Sequence, residues 1–162
     1  MDVETAIRAR RTHKRYGSEP VPETVVRELL DVARSAPNHK LTNPWRFRLI
    51  GPETRARVEE AAGELETAKL RRAPTLVLAT AVLSEDPVLA EEDLLATGCA
   101  VYAVLLAATA RGLASYWRTP PPAVAALAPV EHPVALIHLG TPLSEPPPKE
   151  RLALSDVLTV LT

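Results

Sequence analysis

The sequence is poor in cysteine, amides and aromatics: it holds Cys99 alone, Asn38 and Asn43 as its only asparagines, no glutamine, and 4% aromatic residues. A lone cysteine excludes an intrachain disulfide and a thiolate metal cluster. Few aromatics leave Ala, Val and Leu to fill the core. The glycine-rich patterns of dinucleotide folds and P-loops are absent, so a bound phosphate would have to be held by side-chain cations. His13, His39, His132 and His138 do not show the short paired spacing of a zinc motif, and no metal is expected. Neither Ser35 nor Ser115 sits in a nucleophile elbow, so no Ser-His-Asp triad is assigned. The first residues carry Asp2, Glu4 and several arginines with no apolar stretch behind them, which makes a cytoplasmic location the expectation.

Nineteen Lys and Arg against 20 Asp and Glu give a net charge of -1, which argues against a nucleic-acid track along a basic face. Hydrophobic residues at 46% and charged residues at 24% describe an ordinary globular chain, and residues 1–162 are expected to form one domain. The longest apolar run, Leu94 to Ala110, contains Thr97, Gly98 and Thr109 and falls short of the ~20 strongly apolar residues of a membrane span. A helix at the core or at a subunit interface is expected instead, with no membrane partner.

Val3, Ala6, Ile7 and Arg10 recur at helical spacing and predict a short first helix. Pro20 and Pro22 break the chain before a second helix over Glu23 to Ser35. Trp45 to Leu49 alternates as a strand, a charged third helix runs from Pro52 towards Arg72, and Thr75 to Val82 reads as a buried strand. The Ala-rich helix stops at Gly112, with strands predicted over Leu113 to Trp117 and Val134 to Leu139. Helices interleaved with a few strands imply an α+β or α/β core. The tail beyond Arg151 is too apolar to stand free in water and is expected to pack, on this chain or on another subunit.

Three stretches carry chemistry. Arg8, Arg10, Arg11, Lys14 and Arg15 crowd into eight residues around Thr12, where guanidinium and hydroxyl groups suit a compact phosphate. A solvated helix end is the plainer reading of the same charges. Pro37, Asn38, His39, Lys40 and Asn43 share one loop before Pro44, so the scarce amides either read the edge of a planar ligand or cap a turn. Trp117, Arg118 and Thr119 end a strand, where Arg118 could face an anion and Trp117 wall a ligand or fill the core. Arg151 is a further candidate for that anion.

Taken in order, Arg10-Arg11-Thr12 with Lys14, Ser35 to Lys40 with Asn43 to Phe47, Ala96 to Ala100, Gly112 to Arg118 and Leu139 to Pro142 resemble the nitroreductase family of FMN flavoproteins, and its small members most. The resemblance implies an α+β three-layer fold with a mixed central sheet flanked by helices, assembled as a homodimer with two FMN sites between the subunits. It implies that Arg10, Arg11, Thr12 and Lys14 hold FMN, with Lys14 or Arg15 reaching the ring. Pro37, Asn38, His39, Lys40, Asn43 and Trp117 would join them along the flavin. Arg118 and Arg151 would complete the phosphate pocket, and Thr119 would lie by the flavin N5. The C-terminal segment, about 150–162, would pack on the partner.

The implied activity is hydride transfer from NADH or NADPH through FMN to a nitroaromatic, quinone-like or other small acceptor, with no catalytic side chain required. Short connecting segments predict an open ligand face. A noncatalytic FMN carrier or sensor is the alternative, and a cofactor-free structural homodimer a further one.

Overall fold

The computed structural model describes residues 1–161; Thr162 lies outside the described residues. Helix α1, Val3–Ala9, starts at Asp2, whose carboxylate accepts from the Thr5 backbone N–H at 2.9 Å. Helix α2 spans Glu23–Ala33, and a single 3-10 turn, His39–Leu41, leads into strand β1, Trp45–Leu49. Helices α3, Pro52–Ala62, and α4, Glu64–Leu70, follow. The charged helical stretch expected from Pro52 towards Arg72, with its continuity across Gly63 left open, breaks there, because Gly63 takes φ 73°, a value that only glycine adopts without strain.

Strand β2, Thr75–Ala81, is buried along its whole length. Helix α5, Pro87–Ala110, begins a turn and more before the apolar run, where Asp86 accepts from the N–H groups of Val88 and Leu89 and Pro87 occupies the first turn. Strand β3, Ala114–Arg118, the short helix α6, Pro122–Ala125, and strand β4, His132–Gly140, complete the core. Nothing in the periodicity marked α6, which is a single turn among prolines.

The strands lie in the order β1-β2-β4-β3. Every pairing among the described residues is antiparallel, so the mixed sheet that was expected is corrected: no parallel pair occurs among them. The α+β, three-layer architecture holds. Helices α2 and α5 pack one face, with Val26, Leu29, Ala100 and Val104 against Val77, Ala79 and Ile137. Helices α3, α4 and α6 pack the other, with Val58, Leu70 and Val124 against Leu76, Leu78 and Leu136.

By length and composition α5 could cross a membrane, yet here it is a core helix whose Ala96, Ala100, Val101, Val104 and Ala108 are buried. Its remaining stripe, Val88, Leu95, Cys99 and Tyr102, is exposed at steps of seven, four and three residues, so one helical face lies open. The tail is open as well: Leu152, Leu154, Val157, Leu158, Val160 and Leu161 are all exposed, around a 3-10 turn at Leu154–Asp156.

Candidate functional site

The basic arm that leaves α1 is stitched to the β3–β4 edge of the sheet. The His13 N–H donates to the Ser115 carbonyl at 3.1 Å and the Gly17 N–H to the Thr141 carbonyl at 2.9 Å. The Tyr16 hydroxyl turns back to the His13 carbonyl at 2.7 Å, which fixes the arm's own bend. A side chain at Gly140 would be 2.9 Å from Pro74 and 3.1 Å from the Tyr16 ring, so the close seating of Tyr16 requires glycine there.

Held this way, the arm forms one wall of a cleft of about 770 Å³ lined by Arg8, Arg10, Arg11, Thr12, Lys149 and Arg151, with Tyr102 of α5 beside them. No carboxylate lines it, and none of its five cations pairs with one among the described residues. Arg10 and Arg11 are half-buried at its floor, and Arg8, Lys149 and Arg151 are exposed at its rim. Arg11 braces the end of α1, donating to the Arg8 and Arg10 carbonyls at 2.5 and 3.0 Å. Five uncompensated positive charges repel one another, so the cleft favours an anion with several charges.

The cleft gathers Arg8, Arg10, Arg11, Thr12 and Arg151, all from stretches the sequence had put forward, and adds Lys149. Lys149 lay outside every motif, and only its proximity to Arg151 in the chain could have marked it. Lys14 and Arg15 are exposed but do not line the cleft.

The loop from Pro37 to Asn43 lies elsewhere. Lys40, Leu41 and Asn43 have φ values of 50°, 53° and 47°, a left-handed conformation uncommon for side-chain-bearing residues. Such a loop persists only if its surroundings hold it. The Asn43 N–H donates to Asn38 Oδ1 at 2.9 Å, Asn43 Nδ2 to the Leu41 carbonyl at 2.7 Å, and Asn38 Nδ2 to the Ala36 carbonyl at 3.2 Å. The scarce amides therefore close the loop on itself. Helix α5 holds it from below: Thr42 Oγ1 donates to the buried Asp93 carboxylate at 2.7 Å, and His39 Nδ1 lies 2.8 Å from Glu92 Oε2. Glu92 and Tyr102 are ten residues apart on α5, about 15 Å at 1.5 Å per residue, so loop and cleft lie at separate levels of one helix.

Trp117 leans its ring on Gly98 of α5 and donates from Nε1 to the Val134 carbonyl at 3.2 Å, and exposed Thr119 follows it past the strand end. Arg118 points the other way. It forms an ion pair with Glu66 of α4, which also holds Lys69 at 2.6 Å, and it is not part of the cleft. Strand alternation explains the difference, since neighbours in β3 serve opposite faces of the sheet. Lys69, through a hydrogen bond, and then Arg118 hold the Glu66 carboxyl below its usual range.

On that same face His138 is 1% exposed, with neither ring nitrogen bonded and with Tyr16 and Tyr116 ring centroids 6.4 and 5.7 Å away. Burial, with Arg118, Arg55 and Arg72 nearby, pushes its pKa down to about 3, so it is a neutral structural imidazole. No group of three or more His, Cys, Asp and Glu side chains among the described residues is placed to hold a metal ion.

The profile of the nitroreductase family matches residues 7–80, which run from the end of α1 through the arm and the loop to most of β2. The Escherichia coli K12 protein YdjA, of NAD(P)H nitroreductase type, is 32% identical over 134 residues, 74% of this chain and 73% of its own length. The Bacillus subtilis protein YfhC, of the same type, is 28% identical over 70% of this chain. The chain spans 66% of YfhC, and 41% of a Thermus thermophilus NADH dehydrogenase that it matches at 35% identity. Among solved structures, a nitroreductase-like family protein from Bacillus cereus superposes with a TM-score of 0.88 at 22% identity, covering 99% of this chain and 96% of that one. A nitroreductase from Desulfovibrio desulfuricans, solved in complex with FMN, superposes with a TM-score of 0.80 at 27% identity, covering 99% and 96%. The fold defines an α+β protein of the nitroreductase type. The chain belongs to the nitroreductase family.

Proposed function

We propose that this chain is an FMN-dependent oxidoreductase that passes hydride from NADH or NADPH to a small acceptor of the nitroaromatic or quinone class. The observation that carries the reading is the cleft itself: Arg10, Arg11, Thr12 and Arg151 converge there with no carboxylate to neutralise them, the donor set that a flavin phosphate requires. FMN would supply the redox chemistry when bound. The chain's own residues would bind and orient: Arg10, Arg11 and Arg151 to neutralise the phosphate, Thr12 to donate a hydroxyl, and Lys14, on the arm outside the cleft, to reach the ring. Cations on that side favour negative charge on the ligand.

Pro37, Asn38, His39, Lys40 and Asn43, with Trp117 and the Thr119 backbone, form the other half of the proposed site. Their separation from the cleft along α5 supports a site made by two copies, each giving one half. The open stripe Val88, Leu95, Cys99 and Tyr102 and the apolar tail are the surfaces that a second copy would cover, with residues 150–162 packing on the partner. Arg118 is left out, being committed to Glu66.

The test is the absorbance spectrum of the purified protein before and after anaerobic addition of NADH or NADPH, followed by a nitroaromatic or quinone. A flavin spectrum that bleaches and then returns supports the reading. Stoichiometric FMN that neither nucleotide reduces would leave a carrier or sensor, and colourless protein that takes up no FMN would leave a structural dimer.

A further inference from the structure

The cleft carries more positive charge than one flavin phosphate needs. A phosphate monoester brings about −1.5 to −2 near neutral pH, against the five cations that line the cleft. About three positive charges stay unmatched, in a space of about 770 Å³ with no carboxylate in its wall. The cations also divide by depth. Arg10 and Arg11 lie half-buried at the floor, whereas Arg8 at the end of α1, Lys149 after the prolines and Arg151 are exposed at the rim and bonded to no acid among the described residues; with Arg151 given to the flavin phosphate, Arg8 and Lys149 are left over.

Resting on the FMN reading above, we infer that Arg8 and Lys149 form a second phosphate subsite that takes the 2′-phosphate of NADPH and makes the protein select NADPH over NADH. The two donors differ only by that phosphomonoester. It alone adds charge where rim cations are unmatched, and the pyrophosphate common to both donors gives no discrimination. An ammonium and a guanidinium offer the point charge and the planar fork that phosphate oxygens accept. Because both groups sit at an exposed rim, the selection weakens as salt rises.

The experiment is calorimetric titration of the FMN-loaded protein with 2′,5′-ADP and with 5′-AMP, which carry the adenosine end with and without the 2′-phosphate. The expected result is binding of 2′,5′-ADP at least tenfold tighter, with Arg8→Met and Lys149→Met each reducing the ratio and the double variant bringing it near one. Flavin absorbance and thermal melting of the variants stay as in the parent. Equal binding of the two nucleotides by the parent overturns the inference. So does loss of FMN, rather than of nucleotide discrimination, in Arg8→Met or Lys149→Met, which would assign those cations to the flavin phosphate. A parent protein that holds no FMN would instead remove the flavin reading, and uptake of FMN is scored before any nucleotide is added.

Discussion

Thr42 donates its hydroxyl hydrogen bond to Asp93 across 51 residues of sequence, and that contact, with His39–Glu92 beside it, ties the left-handed loop to the middle of the protein. Asp93 is 4% exposed, and its second oxygen accepts the Ser84 N–H at 3.0 Å. The carboxylate thus fastens two loops to one helix.

Replacing Asp93 by Leu is therefore expected to cost about 1–3 kcal/mol, because Thr42 and Ser84 both lose an acceptor. Urea denaturation measures the loss. If the loop serves the flavin, FMN affinity falls alongside stability, whereas Thr42→Val lowers FMN affinity with a smaller loss of stability.

Arg10→Ala combined with Lys14→Ala is expected to weaken FMN binding by at least tenfold, read by quenching of flavin fluorescence. Neither side chain pairs with an acid among the described residues, so the melting temperature of the apoprotein stays close to that of the parent. Unchanged affinity would take both residues out of the site.

His138 sets a pH dependence of stability. Its folded pKa of about 3 lies below the ordinary 6.5, so between these values the unfolded chain binds a proton that the folded chain refuses. Stability is fully present above pH 6.5 and is lost as pH falls towards 3, at up to about 1.4 kcal/mol per pH unit. Glu66 and Glu131, held below the usual range by Lys69 and Arg48 foremost, add their loss in the same direction at the acid end, below the ordinary carboxylate value of 4.5. Chemical denaturation of the parent and of His138→Leu at pH 7 and pH 5 isolates the imidazole. The variant should show the flatter profile, and parallel profiles would refute the assignment.

Leu95→Arg places a charge in the open stripe of α5. Sedimentation is expected to show the parent as a dimer and the variant shifted to monomer, with FMN lost as the subunits part. A parent that sediments as a monomer while holding FMN would show that one copy suffices.

Most of this architecture was legible in the residues. Pro, Gly and apolar runs located the helices and strands to within a few positions, and the arm's cations announced the cleft. What escaped was pairing, since strand direction in a sheet depends on contacts distant in sequence. Arg118 escaped for the same reason. Its neighbours Trp117 and Thr119 suggested a ligand wall, but a one-residue step along β3 sends the guanidinium through to Glu66. The asparagines were found with two roles open, and of these the backbone shows the closing of a left-handed loop. Lys149 carried no pattern at all.

The stitching of the arm to the sheet edge has a dynamic consequence. Strand β3 is the outermost strand on its side and pairs with β4 alone, so it belongs to the part of the fold that opens most readily. The arm hangs on that strand through the His13–Ser115 hydrogen bond. Breathing of β3 therefore loosens the phosphate cradle before the rest of the molecule responds, and an anion seated in the cradle will slow hydrogen exchange at strand amides that it does not touch.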